Sequence, residues 1–310
     1  MASSRVIGLD IGSSAVRAAE LEFGGGARSG KSAPTLVRVG EVALPLGAVR
    51  DGEVVQPTTV SQALRQLWSR AKFESKDVII GVGNQRVLVR DLDLPAMPLA
   101  QLKSSLPFQV GDMLPMSAAE ALLDYYPIGE VDGPQGRMVR GMLVAAQRDT
   151  VTSNVLAVEG AGLRPVMVDL NGFALLRALA RGEFAEPTTA FVDVGATITT
   201  VVIAAGGVPR LVRSLPSGGQ HVTAAVASAL NVAVPEAENL KREIGVGFSV
   251  PPDRQPAAEA IGAVVRTLVE SVRNTFVYYQ SNSPGATIDV LVLTGGGAHL
   301  PGLGQYMSSA

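Results

Sequence analysis

The chain has 310 residues, 47% of them apolar and 17% charged, with a net charge of −2 and a pI near 5.8. A charged share below the usual quarter, beside an ordinary apolar share, marks a folding chain rather than a disordered one, and the slight acidity argues against nucleic acid as a partner. The absence of cysteine and the presence of only two histidines, His221 and His299, exclude disulfide frameworks, thiolate zinc sites, cysteine nucleophiles and histidine-rich metal sites.

Single cores stop growing near ~250–300 residues, so two or more subdomains are expected. Residues 1–5 run directly into the apolar stretch Val6-Ile7-Gly8-Leu9, with no basic region ahead of a long apolar one. The most apolar window, 190–208, is interrupted by Asp193, threonines and glycines, so no membrane helix is expected there. These features predict a cytoplasmic protein without direct membrane insertion.

The opening reads as strand, turn, strand: an apolar run to Ile11, then Gly12-Ser13-Ser14, then residues 15–23. A Gly/Ser loop over 24–32 precedes a third strand over 35–44. Val60, Ala63, Leu64, Leu67 and Trp68 have helical spacing, and residues 78–82 read as a short buried strand. A meander followed by helix and strand predicts an α/β layer fold. Composition then shifts: residues 92–149 hold five of the eight methionines, with a hairpin tip expected over 129–137. This stretch is read as an inserted subdomain. The α/β pattern resumes at Val166, with a second strand-turn-strand over 189–204. A helical stretch over 219–281, a strand over 289–293 and the turn Gly295-Gly296-Gly297 complete the series.

Leu9-Asp10-Ile11-Gly12-Ser13-Ser14 and Val192-Asp193-Val194-Gly195-Ala196-Thr197 share one pattern, 183 positions apart. A repeat at that distance predicts two similar domains, each presenting the same turn. A glycine at a hairpin tip lets backbone N–H groups face an anion without a side chain in the way. An aspartate two residues earlier would repel phosphates unless a cation lay between, and Mg²⁺, which keeps most of its waters, fits that place. Taken singly, each Asp and Gly is explained as an ordinary turn residue. The pair, with a third glycine turn after a buried strand, favours a nucleotide site. Glu238 and Lys241 lie three apart on one helix face, a spacing that also suits a surface ion pair.

The phrases Asp10-Ile11-Gly12-Ser13-Ser14, Asp193-Val194-Gly195-Ala196-Thr197 and Thr294-Gly295-Gly296-Gly297-Ala298 resemble the two phosphate motifs and the adenosine motif of the actin-like ATPase superfamily. Ala237-Glu238-Asn239-Leu240-Lys241 resembles its helix beside the ribose and adenine. Within the superfamily the likeness is to the PilM family of type IV pilus assembly proteins, which are related to FtsA. It is carried also by Leu94-Pro95-Ala96-Met97-Pro98, Leu114-Pro115, Asp124-Tyr125-Tyr126 and Ala161-Gly162-Leu163.

The resemblance implies an actin-like (ribonuclease H-like) α/β fold of two similar halves around a nucleotide cleft. Subdomain 1A would take residues 1–91 and 166–186, the inserted 1C-type subdomain 92–165, subdomain 2A 187–218 and 286–310, and subdomain 2B 219–285. It further implies ATP with Mg²⁺, held through water by Asp10 and Asp193. Gly12, Ser13, Ser14, Gly195, Ala196 and Thr197 would contact phosphates, and Glu238, Lys241, Gly295, Gly296 and Gly297 the nucleoside. Arg17 stands where relatives place a phosphate-contacting lysine, or else lies solvated on its strand. Hydrolysing members carry an acidic residue or glutamine in the connecting segment, here Asp169-Leu170-Asn171-Gly172-Phe173, which puts Asn171 nearest that role with Asp169 as its rival. Asparagine holds a water but accepts no proton, so slow or absent hydrolysis is expected. The expected partner is a PilN-like membrane protein, bound through its cytoplasmic N-terminal peptide in a groove involving the inserted subdomain. Self-association is a further expectation, as are more helix and strand beyond Ala310.

Three other readings compete. Gly25-Gly26-Ala27-Arg28-Ser29-Gly30-Lys31-Ser32 matches the P-loop pattern, but that mechanism needs a helix to begin at the lysine. Ala33-Pro34 and a strand-like run follow instead, so a hairpin loop is expected. A sugar or carboxylate kinase of the same superfamily would need a catalytic aspartate beside an acceptor pocket, and none is identified. An FtsA-like cytoskeletal role is the remaining alternative. His299 is read as touching the adenosine or capping a helix, with the cap preferred; His221 is expected to start a helix at Val222, and Trp68 to be core.

Overall fold

A computed structural model describes residues 4–24, 34–133, 136–283 and 285–309. The P-loop-like stretch at 25–32 lies outside the described residues, as does the tip of the 129–137 hairpin. The chain divides into two compact units, Met1–Ala174 and Leu175–Ala310.

The first unit is built on a five-stranded sheet. Its strands are β1 (Ser4–Ile11), β2 (Ala15–Phe23), β3 (Thr35–Ala43), β6 (Asp77–Val82) and β10 (Arg164–Leu170), in the order β10-β6-β1-β2-β3. The first three form an antiparallel meander, while β6 and β10 run parallel to β1. Alternation of side chains puts Ile7, Leu9 and Ile11 on the buried face of β1. Two short strands, β4 (Val49–Arg50) and β5 (Glu53–Val54), lead into helix α1 (Pro57–Ala71). Proline at its start needs no N–H there, and Val60, Leu64 and Leu67 pack onto the sheet.

A separate three-stranded sheet follows, with β7 (Val87–Pro95), β8 (Ala121–Gly133) and β9 (Gly136–Gln147) in the order β7-β9-β8. Helix α2 (Leu99–Val110) covers it through Leu102 and Leu106. The Tyr125 hydroxyl lies 2.7 Å from both Leu92 O and Val139 O, so β8 is tied to its neighbours. Helix α3 (Arg148–Gly160), which falls within the range 92–165 expected for the insertion, buries Ala157 and Val158 in the core of the five-stranded sheet. Ser61 Oγ on α1 donates to Ala157 O at 2.7 Å, so α3 is fastened to that core.

The second unit repeats the plan. Strands β11 (Thr189–Val194), β12 (Thr199–Ala205), β13 (Val208–Leu215) and β14 (Val290–Thr294) form a sheet of order β13-β12-β11-β14. Here β11-β12-β13 is an antiparallel meander and β14 runs parallel to β11. The connectivity is that of β6-β1-β2-β3. Between β13 and β14 lie α5 (Gly219–Leu230), α6 (Val234–Ile244) and the 28-residue α7 (Gln255–Asn282). β11 and β12 are buried along nearly their whole length, as strands covered on both faces are. The unit begins within α4 (Asn171–Leu179), and α8 (Leu303–Ser309) follows β14.

Candidate functional site

The two hairpin turns are closed in the same way. In the first unit Gly12 N–H donates to Ala15 O at 3.0 Å, and in the second Gly195 N–H donates to Ile198 O at 2.9 Å. The flanking strands pair Ile11 with Val16 and Val194 with Thr199, the same offset in each unit. Both turns lie where parallel strands end at their carboxyl termini, the edge at which open α/β sheets bind ligands.

In the first unit Asp10 pairs across the hairpin with Arg17. The Arg17 Nη1 is 3.6 Å from Asp10 Oδ2, and its Nε is 2.7 Å from Glu41 Oε2. Arg17 thus lies across the strands in two ion pairs. Desolvation raises the Asp10 carboxyl above its ordinary range, against the opposing pull of Arg17. Its side chain still keeps 53% of its surface accessible, enough for water to reach the carboxylate. Ser14 O accepts from Leu44 N–H at 2.8 Å, fixing the turn to the segment after β3.

Asn171 opens α4 directly after β10 and lies over the end of β6. A Cβ on Gly81 would overlap its Oδ1, and one on Gly83 would press on its Cβ. The two glycines make room for this side chain. Asp169, paired in register with Gly81, turns back so that its Oδ1 accepts Leu170 N–H at 2.8 Å. The structure therefore brings Asp10, the turn at Gly12-Ser13-Ser14, and Asn171 to one edge of one sheet, across three neighbouring strands.

In the second unit the turn at Gly195-Ala196-Thr197 is buttressed by the start of α5. Gly219 N–H donates to Gly195 O at 2.9 Å, and Gln220 N–H to Ala196 O at 2.8 Å. Gly218 has no room for a Cβ, which would strike the carbonyls of Gly195 and Ala196. Its N–H donates to His221 Nδ1 at 3.2 Å, so His221 caps the helix from its third position. Beside this turn, Gly295 adopts φ +86 with the Asp193 carboxylate against it, and Gly297 packs on the side chain and carbonyl of Val194. These glycines are required by close backbone approach within the fold itself.

A cavity of about 420 Å³ opens there, entirely within the second unit. That is within the ~300–1,000 Å³ of ligand pockets. Backbone of Gly218-Gly219 and Gly296-Gly297 forms part of its wall, Val222, Val265 and Leu268 an apolar part, and Glu238, Lys241 and Arg242 a charged one. His299, the last residue of the short turn Gly296–His299, also lines it.

The Glu238–Lys241 pair is no surface pair. Lys241 is 9% exposed, and its Nζ lies 2.6 Å from Glu238 Oε2, 3.0 Å from Thr223 Oγ1 and 3.3 Å from Gly219 O. Arg242 Nε binds the other carboxylate oxygen at 2.8 Å. Burial alone would raise the Glu238 carboxyl, but hydrogen bonds from Lys241, Thr223 and Arg242 outweigh it and hold the group below the ordinary carboxylate value. Thr223, Arg242, Gly218 and Gly219 escaped the sequence reading. The Gly-Gly pair directly ahead of a helix was a usable signal, whereas a threonine inside a helix gave none.

Among the described residues no group of three acidic or histidine side chains is placed to hold a metal ion. A cation near Asp10 or Asp193 would therefore depend on ligand oxygens and water, as Mg²⁺ does at phosphates.

Comparison with known proteins places this geometry in context. One structure of a "PilM-PilN type IV pilus biogenesis complex" superposes with a TM-score of 0.80 at 26% identity, covering 98% of this chain and 85% of that one. The ethanolamine utilization protein EutJ of Carboxydothermus hydrogenoformans matches at TM-score 0.57 and 17% identity over 100% and 82% of the two chains. The cell division protein FtsA of Bacillus subtilis is 22% identical over 86% of this chain and 69% of its own. The fold is that of the actin-like ATPases. The sequence profile of the type IV pilus assembly protein PilM matches residues 8–310, and this chain belongs to that family.

Proposed function

We propose that this PilM family member is an ATP-binding, actin-like scaffold of type IV pilus assembly. In this reading it recruits the inner-membrane complex through the N-terminal peptide of a PilN-like membrane protein, and turns ATP over slowly or not at all. The observation that carries the nucleotide part is the cavity beside the Gly195-Ala196-Thr197 turn, with its glycine wall and its part-buried Glu238–Lys241 pair. Glu238, Lys241, Gly295, Gly296 and Gly297 are assigned to the nucleoside. The turns at Gly12-Ser13-Ser14 and Gly195-Ala196-Thr197 are assigned to phosphate, with Arg17 able to exchange its exposed ion pairs for it, since such pairs are worth only ~0–1 kcal/mol. Asp10 and Asp193 would hold magnesium-bound waters. The subdomain ranges expected from sequence go with this assignment.

Asn171 supports slow turnover. Its amide orients a water but takes no proton from it, and Asp169 is turned onto its own backbone. Phosphate release at several turnovers per minute would remove this part of the reading. When bound, ATP supplies a phosphoanhydride whose presence or loss shifts partner affinity only as far as it binds the two states unequally.

The partner assignment is supported by the similar structure, a PilM–PilN complex, and by the insertion, where Phe108 is 91% exposed and Leu99 and Tyr126 are also open. No helix among the described residues is long and apolar enough to cross a membrane, so attachment through a partner suits the reading. The test is calorimetric titration of ATP with and without Mg²⁺ into wild type, Asp10→Ala and Asp193→Ala. Magnesium-dependent binding, weakened by either substitution, is expected. An absence of binding at millimolar ATP would leave a nucleotide-free scaffold.

A further inference from the structure

Every donor of the Lys241 ammonium is already used inside the protein. Its three N–H groups meet Glu238 Oε2 at 2.6 Å, Thr223 Oγ1 at 3.0 Å and Gly219 O at 3.3 Å. Lys241 therefore lines the cavity assigned to the nucleoside with its donors spent on Glu238, Thr223 and Gly219, and acts there through Glu238. Thr223, 3% exposed on the first turns of α5, has its donor spent likewise. Its hydroxyl receives Lys241 and lies 2.5 Å from Glu238 Oε2 and 3.0 Å from Gly219 O. One O–H serves one acceptor at a time, and the charged, closer carboxylate is the stronger.

Gly219 joins this cluster to the turn. Its N–H holds Gly195 O while its carbonyl takes Lys241 and lies beside Thr223. One peptide residue thus links the turn assigned to phosphate with the carboxylate assigned to the nucleoside, and Thr223 and Lys241 together fasten α5 to α6 there.

We propose that Thr223 is a positioning residue: with Lys241 it fixes the Glu238 carboxylate in the cavity wall, where its remaining acceptor site selects ligands that offer a hydroxyl, as a ribose does. The inference rests on the nucleoside reading of the cavity. Glu238 keeps acceptor capacity because a carboxylate offers about four lone-pair sites, of which Lys241, Thr223 and Arg242 take three.

The test compares wild type, Thr223→Val and Thr223→Ser in calorimetric titrations with ATP, 2′,3′-dideoxyATP and inorganic tripolyphosphate, alongside thermal melts of the free proteins. Thr223→Val keeps the shape and removes the hydroxyl. It is expected to weaken ATP about tenfold, the loss of one hydrogen bond to a charged group, and to abolish the preference for ATP over the dideoxy analogue. Tripolyphosphate binding should not change, and Thr223→Ser should restore both ATP affinity and preference. Wild-type behaviour in Thr223→Val would overturn the positioning role and leave the cavity assignment standing. A loss in Thr223→Ser equal to that in Thr223→Val would also overturn it, since the methyl group and not the hydroxyl would then matter. A wild type that binds no ATP, or binds the dideoxy analogue equally well, overturns the cavity reading itself and this inference with it.

Discussion

Two adjacent glycines should respond in opposite ways to the same substitution. A methyl group on Gly218 would lie within overlap distance of three backbone atoms, the carbonyl oxygens of Gly195 and Ala196 and the carbonyl carbon of Ala196. Backbone cannot rotate out of the way, so the start of α5 must move off the turn. That breaks the bonds from Gly219 N–H and Gln220 N–H, at 2.9 and 2.8 Å. Two hydrogen bonds at ~1 kcal/mol each, with ~1–3 kcal/mol for forced crowding, give roughly 3–5 kcal/mol. In a domain of this size that lowers Tm by about 10 °C. On Gly219 the nearest atoms to a new methyl are Gly297 Cα at 3.4 Å and Lys241 Nζ at 3.8 Å, ordinary contact distances. Gly219→Ala should therefore stay within ~1 kcal/mol of wild type. Calorimetric melting, with hydrogen–deuterium exchange over residues 215–230, separates the two cases. A Gly218→Ala protein that melts and exchanges like wild type, or a Gly219→Ala protein equally damaged, would refute the described seating of α5 on the turn.

Gly81→Ala should cost ~1–3 kcal/mol in urea denaturation, because its methyl competes with the Asn171 amide. Asn171→Ala in the same chain should recover most of that loss, and purely additive effects would show that the two residues do not share the space. Glu238 titrates below its ordinary value when folded, so it contributes stability above the unfolded-state carboxylate pKa and loses it as pH falls through the folded value. The Tm advantage of wild type over Glu238→Gln should shrink between pH 7 and about pH 3. A constant gap across that range would contradict the hydrogen-bonded, ionised carboxylate.

The turns were legible in sequence because their requirement is local. Only glycine and small residues suit a tip closed from residue i to i+3, and an aspartate before each glycine repeated the signature 183 positions later. The structure returned the same offset in strand pairing. What α3 packs against was not legible, because a helix after an insertion looks alike whichever core receives Ala157 and Val158. Helical spacing likewise placed Glu238 and Lys241 on one face without telling whether α5 covered it. The deciding contact comes from Thr223, 18 residues before Lys241, in a helix whose sequence reads as plain Ala- and Val-rich filler. The seat of Asn171 depended on Gly81 and Gly83, some ninety residues earlier, a distance over which no local pattern carries.

The parallel pairing of β11 with β14 also has a history in time. Thr189 meets Val290, its partner 101 residues later in the chain. At roughly 5–20 residues per second of synthesis, one edge of β11 waits about 5–20 seconds for its neighbour. During that interval Ala190, Phe191 and Val192, fully buried in the finished unit, have only β12 beside them. An apolar strand with an open edge invites pairing with another chain. Unit two is therefore the part of a nascent chain most exposed to misassembly, and the cavity wall at Gly296-Gly297 takes shape only when the strand that ends the wait has docked.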